Sequence, residues 1–129
     1  MLRFNRENRD ALKLFIYNSH IHDAEITETS YTHGDHSVTI SAYNSYYGDR
    51  YSFVFRNVRL FLITNAEPER GNVVISLTLE DDLAYLRERI PSCSRWGDTA
   101  LYLLFQMLSG DEFHIFADEV LTECSCDRQ

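Results

Sequence analysis

Apolar residues recur at two different periods along this chain, and the change of period separates a helix from a set of strands. Over residues 5 to 17, Ala11, Leu12, Phe15 and Ile16 repeat at helical spacing with charged residues between them. Asn5 is placed to cap that helix, its side-chain oxygen accepting from the orphan N–H groups of the first turn, and Asn18 and Ser19 end it. Such an apolar stripe must cover something, most simply one face of a sheet. From residue 23 the period becomes two. Ala24, Ile26 and Glu28 alternate with Glu25, Thr27 and Thr29, which predicts a first strand. His33-Gly34-Asp35-His36 predicts a turn, Val38, Ile40 and Ala42 a second strand, and Gly48-Asp49 the entry to a third.

In the third strand Tyr51, Phe53 and Phe55 share one face, whereas the later apolar set is Val58, Leu60 and Leu62. A half-buried strand changes parity only by accommodating an extra residue, so a β-bulge or sharp bend is expected near Arg56-Asn57. After the turn-like Glu67-Pro68-Glu69-Arg70-Gly71-Asn72, the stretch Val73 to Leu79 reads as a strand. It is expected to carry Val73, Ile75, Leu77 and Leu79 inward and Val74, Ser76 and Thr78 on the other face. Glu80-Asp81-Asp82 can start a short helix through Leu83, Leu86 and Ile90, which Pro91 would stop. Leu101 to Leu108 is helical by propensity, with Asp98 and Gly110 at cap positions. The alternation of Glu112-Phe113-His114-Ile115-Phe116 favours a hairpin instead, turning through Ser109-Gly110-Asp111 and pairing with Phe113 to Thr122. The expected fold class is mainly β (α+β): an antiparallel β-sandwich or curled sheet of roughly six strands with an N-terminal helix, as one domain over residues 1–129.

Composition narrows the function. A chain of 129 residues, 44% hydrophobic and 25% charged, can bury roughly two-thirds of its unfolded surface and needs no disulfide or metal to fold. Its net charge of −8 opposes non-specific binding to nucleic acid or an anionic membrane. From Asp98 onward, Asp111, Glu112, Asp118, Glu119, Glu123 and Asp127 meet no Lys or Arg between them, which predicts an acidic C-terminal face. Three cysteines, Cys93, Cys124 and Cys126, do not make a disulfide framework. No apolar run of signal-peptide or membrane-spanning length is present, so a cytoplasmic location is expected.

Candidate chemistry is sparse. His20-x-His22-Asp23-x-Glu25 is the densest group of metal-ligand types, and in an extended segment His20 and His22 project to one side. A third ligand would come from His33, His36 or His114. Cys124-x-Cys126 places two thiols on one strand face without the spacing of zinc or redox motifs. No nucleophile elbow, phosphate-binding glycine loop or H-E-x-x-H is present. Five of the eight tyrosines, Tyr31, Tyr43, Tyr46, Tyr47 and Tyr51, crowd around Asn44-Ser45-Tyr46-Tyr47-Gly48-Asp49. Tyrosine on a loop offers large, stiff, half-polar contact area suited to an interface.

Three segments carry a resemblance. Ile21-His22-Asp23-Ala24-Glu25-Ile26 opens the first strand, Tyr51-Ser52-Phe53-Val54-Phe55-Arg56-Asn57-Val58 forms a middle one, and Ser109-Gly110-Asp111-Glu112 turns into the last. Together they resemble a group of small bacterial β-rich proteins of unassigned function with a His-Asp pair at the first strand, some of them similar to immunity proteins of toxin systems. The helical HD-domain phosphohydrolases are a different group. In this chain His22 and Asp23 read as structural, Asp accepting from backbone N–H groups and the imidazole bridging helix end to sheet. The leading expectation is a non-enzymatic protein-binding protein without cofactor, its surface formed by Tyr46, Tyr47, Asp111, Glu112, Asp118 and Glu119 and its partner basic. One alternative is a metal-dependent enzyme using His20, His22 and His114. Another is a homodimer formed through Val54, Val58 and Leu60 or through the tyrosine loop.

Overall fold

A computed structural model describes residues 1–64, 73–80, 88 and 100–126 of the chain. Two long strands organise it. β4 (Asp49–Thr64) and β7 (Glu112–Cys126) pair antiparallel from Asp49 opposite Cys126 to Thr64 opposite Glu112. Each half of this ribbon recruits different neighbours. β3 (Ser37–Asn44) pairs with the first half of β4, and β2 (Glu25–Thr32) pairs with β3. On the far edge of β7, β6 (Leu101–Met107) takes the first half and β1 (Leu2–Asn5) the second, end to end. β5 (Val74–Leu79) lies outside β6. The order is β2-β3-β4-β7-β6-β5, every pair antiparallel.

The sheet twists and curls until its outermost strands touch. The Asp23 N–H donates to the Val74 carbonyl at 2.7 Å, the Val74 N–H returns to the Ala24 carbonyl at 2.8 Å, and Glu25 bridges Val73. Of the two expected architectures, the curled sheet is the observed one, with seven strands among the described residues where roughly six were expected. The uncounted strand is β1. Its four residues bury only Phe4, too short a pattern to show a period.

Inside the curl, inward positions of β3, β4, β6 and β7 meet. Phe53 and Phe55 of β4 set their rings nearly perpendicular to Phe105 of β6, with centroids 5.8 and 6.4 Å apart, an edge-to-face arrangement that suits the aromatic quadrupole. The hairpin from β6 to β7 forms as expected, Gly110 at φ 93° closing its turn. The helical signal in Leu101 to Leu108 loses because β6 is paired on both edges and buries Leu101, Leu103, Phe105 and Met107 on one face and Tyr102 on the other.

The helix begins where Asn5 predicts, by a tighter route. The Asn5 side chain accepts from the N–H groups of Glu7 and Asn8, while the Asn8 side chain accepts from the Asn5 N–H, a reciprocal capping box. The first turn is 3-10 (Arg6–Asn8), and α1 runs from Arg9 to Asn18. Leu12 is fully buried, and Phe15 packs between Phe4 and Phe53.

Two strand expectations need correction. The irregularity in β4 exists: Asn57 takes φ 51°, and the register with β7 shifts between Val58 and Leu60. It does not return the later leucines to the same core. Val58 and Phe61 pack on the main core, while Leu60 and Leu62 join Tyr102, Leu104 and Phe116 in a second cluster. In β5 the inward set is Val74 and Leu77, with Ile75 exposed, the reverse of the expected alternation at its start. A register shift against β6 between Val74 and Ser76 is the cause. The helix expected after Glu80 lies outside the described residues except for Glu88, which is helical.

One test separates the buried and exposed faces of α1. Leu12→Ala should cost about 2–5 kcal/mol through lost transfer energy and a cavity. Leu14→Ala, at a position 59% exposed, should stay within about 0.5 kcal/mol of wild type in urea unfolding. Equal losses would mean that α1 does not dock by this face.

Candidate functional site

Polar residues at inward parity mark the place where the sheet departs from an ordinary core. Val38, Ile40 and Ala42 lead to Asn44 on the same face of β3, and Asp49 precedes Tyr51, Phe53 and Phe55 on the same face of β4. Asn44 is 2% exposed, so its amide must find partners. Its Nδ2 donates to the carbonyls of His20 and His22 at 2.8 and 3.1 Å, and its Oδ1 accepts from the N–H groups of Tyr46 and Tyr47 at 3.0 and 3.3 Å. One side chain thus ties the exit of α1 to the β3–β4 turn. Gly48, at φ 75°, completes that turn and donates its N–H to the Asn44 carbonyl.

His20 is held through its backbone, one ring nitrogen and one ring face. The helix ends at Ser19, whose N–H and hydroxyl both donate to the Ile16 carbonyl. The next N–H, that of His20, donates to the Tyr51 phenol oxygen at 2.6 Å. The imidazole Nδ1 lies 2.5 Å from Asp49 Oδ2, and the Tyr51 hydroxyl donates to the same oxygen at 3.2 Å. The ring stacks on Tyr47 with centroids 3.7 Å apart and planes 12° from parallel. Tyr46 stands edge-on to Tyr47 at 4.8 Å and is itself 84% exposed.

The hydrogen bond from His20, with those of Cys126 and Tyr51, lowers the Asp49 carboxyl below its ordinary value against the cost of burial. Burial pushes the Tyr51 phenol up, and it also raises the Cys124 thiol, with Asp49 adding to the effect. The phenol is therefore a neutral donor, and Cys124 is a thiol rather than an activated thiolate.

Beside this cluster, α1, β1 and the ends of β4 and β7 line an open groove of about 590 Å³. Leu2, Phe4, Ala11, Leu14 and Phe15 supply its apolar lining, and Arg3, Asn8, Asn18, Ser19, His20, Asp49, Tyr51 and Cys124 its polar lining.

The structure disperses the other candidate residues. Asp111 is buried. Glu112 accepts from Thr64 and Gln106 and lies 3.6 Å from His114. Asp118 pairs with Arg59 at 2.9 Å, and Glu119 with Arg3 and Arg56. The expected acidic face is thus locally neutralised by arginines from β1 and β4 that lie far away in sequence. Tyr43 lies under the Arg50 guanidinium, Tyr51 is in the core, and Tyr31 stands by His33 and His36 on the β2–β3 turn. Tyr46 and Tyr47 meet at the site by their rings and Tyr51 by its hydroxyl, whereas Tyr31 and Tyr43 lie elsewhere.

His22 and Asp23 pair with each other at 3.1 Å, both exposed. Asp23, at φ 69°, reaches β5 through its backbone, and it is His20 rather than His22 that joins helix end to sheet. His114 is fully buried opposite Leu62 of β4, about 40 Å along that strand from Asp49 at the usual rise per residue. It does not meet His20 or His22, and among the described residues no group of three or more His, Cys, Asp or Glu is arranged to hold a metal. Val54, Val58 and Leu60 do not share a face either: Val58 packs on the main core and Leu60 on the second cluster.

No family model matches the chain, and no curated protein matches it. Its fold is similar to the crystal structure of an uncharacterized protein from Neisseria gonorrhoeae, with a TM-score of 0.53 and 12% identity, covering 79% of this chain and 91% of that one. The likeness is one of fold.

The Asp49 bond to His20 has a pH signature. A carboxyl whose folded pKa is depressed contributes stability that is present above its unfolded value, about pH 4, and is lost as pH falls through the folded value. Asp49→Asn should therefore lower the urea midpoint at pH 7 and make the loss of stability below about pH 4 shallower than in wild type. An unchanged midpoint and an unchanged acid slope would contradict the pairing.

Proposed function

We propose that this chain is a non-enzymatic protein-binding protein whose contact surface centres on the Tyr46–Tyr47 turn. The observation that carries the reading is that Tyr46 combines 84% exposure with a braced turn. Its backbone is fixed by Asn44, its ring rests on Tyr47, and Tyr47 stacks on an imidazole clamped by Asp49. A large aromatic already ordered in the free protein loses little conformational freedom on binding, which is what an interface anchor requires.

Electrostatics play a different part from the one expected of Asp111, Glu112, Asp118 and Glu119. Those carboxylates are buried or engaged within the chain. Attraction of a basic partner would come from the net charge of −8 as a whole, which raises the rate of encounter more than the strength of the complex. A small acidic protein with one braced aromatic anchor fits an immunity-type role, in which it occludes a basic surface of its partner.

Immobilised wild-type protein should retain a specific protein from a lysate of its source cells, and Tyr46→Ala should retain it at least about tenfold less, the size of an anchor residue's contribution. Added salt should slow association more than it speeds dissociation. Equal retention by the two forms, or a partner that never appears, would reject the reading.

A further inference from the structure

β4 outruns its neighbour β3, and the surplus leaves an open sheet edge. β3 follows β4 only as far as Phe55, and on that side the Val58 N–H still reaches the His36 carbonyl. Beyond it, Leu60 to Thr64 keep a regular register with β7 and, among the described residues, pair with no other strand. A hollow of about 310 Å³ opens there, lined by Tyr31 and by the consecutive residues Val58, Arg59, Leu60 and Phe61. Successive residues of a strand point to opposite faces, so a hollow that touches all four lies along the edge.

The phase of the ladder decides which groups this edge presents. The Met107 N–H donates to the Asp111 carbonyl. With the β6–β7 register, that bond turns the backbone of Phe113 and Ile115 toward β6 and the backbone of His114 and Phe116 toward β4. Leu60, Leu62 and Thr64, opposite Phe116, His114 and Glu112, therefore commit their N–H and C=O groups to β7. Those of Phe61 and Ile63 face out of the sheet.

Open edges invite strand pairing, and proteins blunt them with charge, proline, bulges or a covering element. The end strands of this sheet are blunted. β2 carries exposed Glu25 and Glu28 and a register shift between Ile26 and Glu28. β5 is bonded at Val74 to Asp23 and Ala24, is shifted against β6, and has α1 alongside. Leu60-Phe61-Leu62-Ile63-Thr64 has no charge, proline or glycine, and Ile63 is 44% exposed. The segment is also its own complement. Two copies set antiparallel with Leu62 opposite Leu62 place Phe61 opposite Ile63 on both sides, where the outward backbone groups of each satisfy the other and an aromatic meets a β-branched side chain. Arg59, the neighbouring charge, stays clear of its own copy at the far end of such a pairing.

We propose that the Leu60–Thr64 edge is a self-association surface, at which β4 pairs antiparallel with β4 of a second copy and joins two sheets into one. The contact is two-fold and closes on itself. It lies at the other end of β4 from the Tyr46–Tyr47 turn, so the two surfaces stand or fall separately. One short strand pair makes a small contact, and the dimer is accordingly weak.

Sedimentation equilibrium of the full chain from about 10 µM to about 1 mM tests this, with amide hydrogen exchange followed at both ends of the range. Wild type should pass from monomer toward dimer as concentration rises. The amides of Phe61 and Ile63 should gain protection in step with dimer, while those of Leu60 and Leu62, already bonded to β7, should not change. Ile63→Pro removes an N–H that the β4–β7 ladder does not use and should weaken association at least about tenfold. Ile63→Lys keeps the N–H, sets like charges diagonally across the contact, and should weaken it as much even where the proline variant fails to fold. A protein that stays monomeric at the top of the range, or Phe61 and Ile63 amides already protected in the monomer, would overturn the proposal. So would a dimer that Ile63→Lys leaves intact, or one that Tyr46→Ala abolishes, because the contact would then lie elsewhere.

Discussion

The antiparallel pairing of β4 with β7 is the constraint on which the other elements depend. Strands of 16 and 15 residues are long for a small protein, and no partner of ordinary length can cover either one. Each edge is therefore shared. β3 covers only the first half of β4, and β6 and β1 divide β7 between them. The offset between those halves skews the sheet, and the skew brings β2 round to β5. The irregularity at Asn57 to Leu60 sits at the middle of the ribbon, where such a feature adds twist. On one side of it the outward face of β4 carries Arg50, Ser52, Val54 and Arg56; on the other, Leu60 and Leu62 bury part of their surface in a second cluster with Tyr102 and Phe116.

At the end of the ribbon away from the β6–β7 turn, the core gives way to a polar knot. Asn44 and Asp49 occupy positions that elsewhere hold phenylalanine and isoleucine, and their partners come from the chain that leaves α1. Burying these groups is tolerable only because each is bonded within the knot. The result is structural economy with a functional consequence. The same bonds that seat α1 on the sheet also fix the turn that presents Tyr46 and orient the imidazole that lines the groove.

Much of the fold was legible in the sequence, because alternation reports directly on a strand with one buried face. It located β2, β3, the first half of β4, and the β6–β7 hairpin. It failed where both faces are covered or the chain carries an extra residue. Leu60 and Leu62 are apolar for a second cluster, and Val74 rather than Val73 points inward because β5 is shifted against β6. The site was less legible. Net charge along a sequence cannot show that Arg3, Arg56 and Arg59 come from distant strands to pair with Glu119 and Asp118. The histidine cluster drew attention to His22, although His20 is the residue that the fold uses. A usable signal was present in Asn44 and Asp49, polar residues at inward parity on alternating strands. The partners of Asn44, being main-chain carbonyls and N–H groups, leave no trace in side-chain patterns, and Asp49 meets the His20 side chain only through the fold.

An exposed aromatic is kept in place by a buried asparagine and a clamped imidazole. Backbone ¹⁵N relaxation of the Asn44–Gly48 turn, in wild type and in Asn44→Ala, tests this most directly. In wild type, the amides of Tyr46 and Tyr47 should show order parameters near the roughly 0.85 of rigid backbone and fall below about 0.6 when the asparagine is removed. A turn that is already mobile in wild type, or one that stays rigid without Asn44, would mean that the asparagine does not hold it.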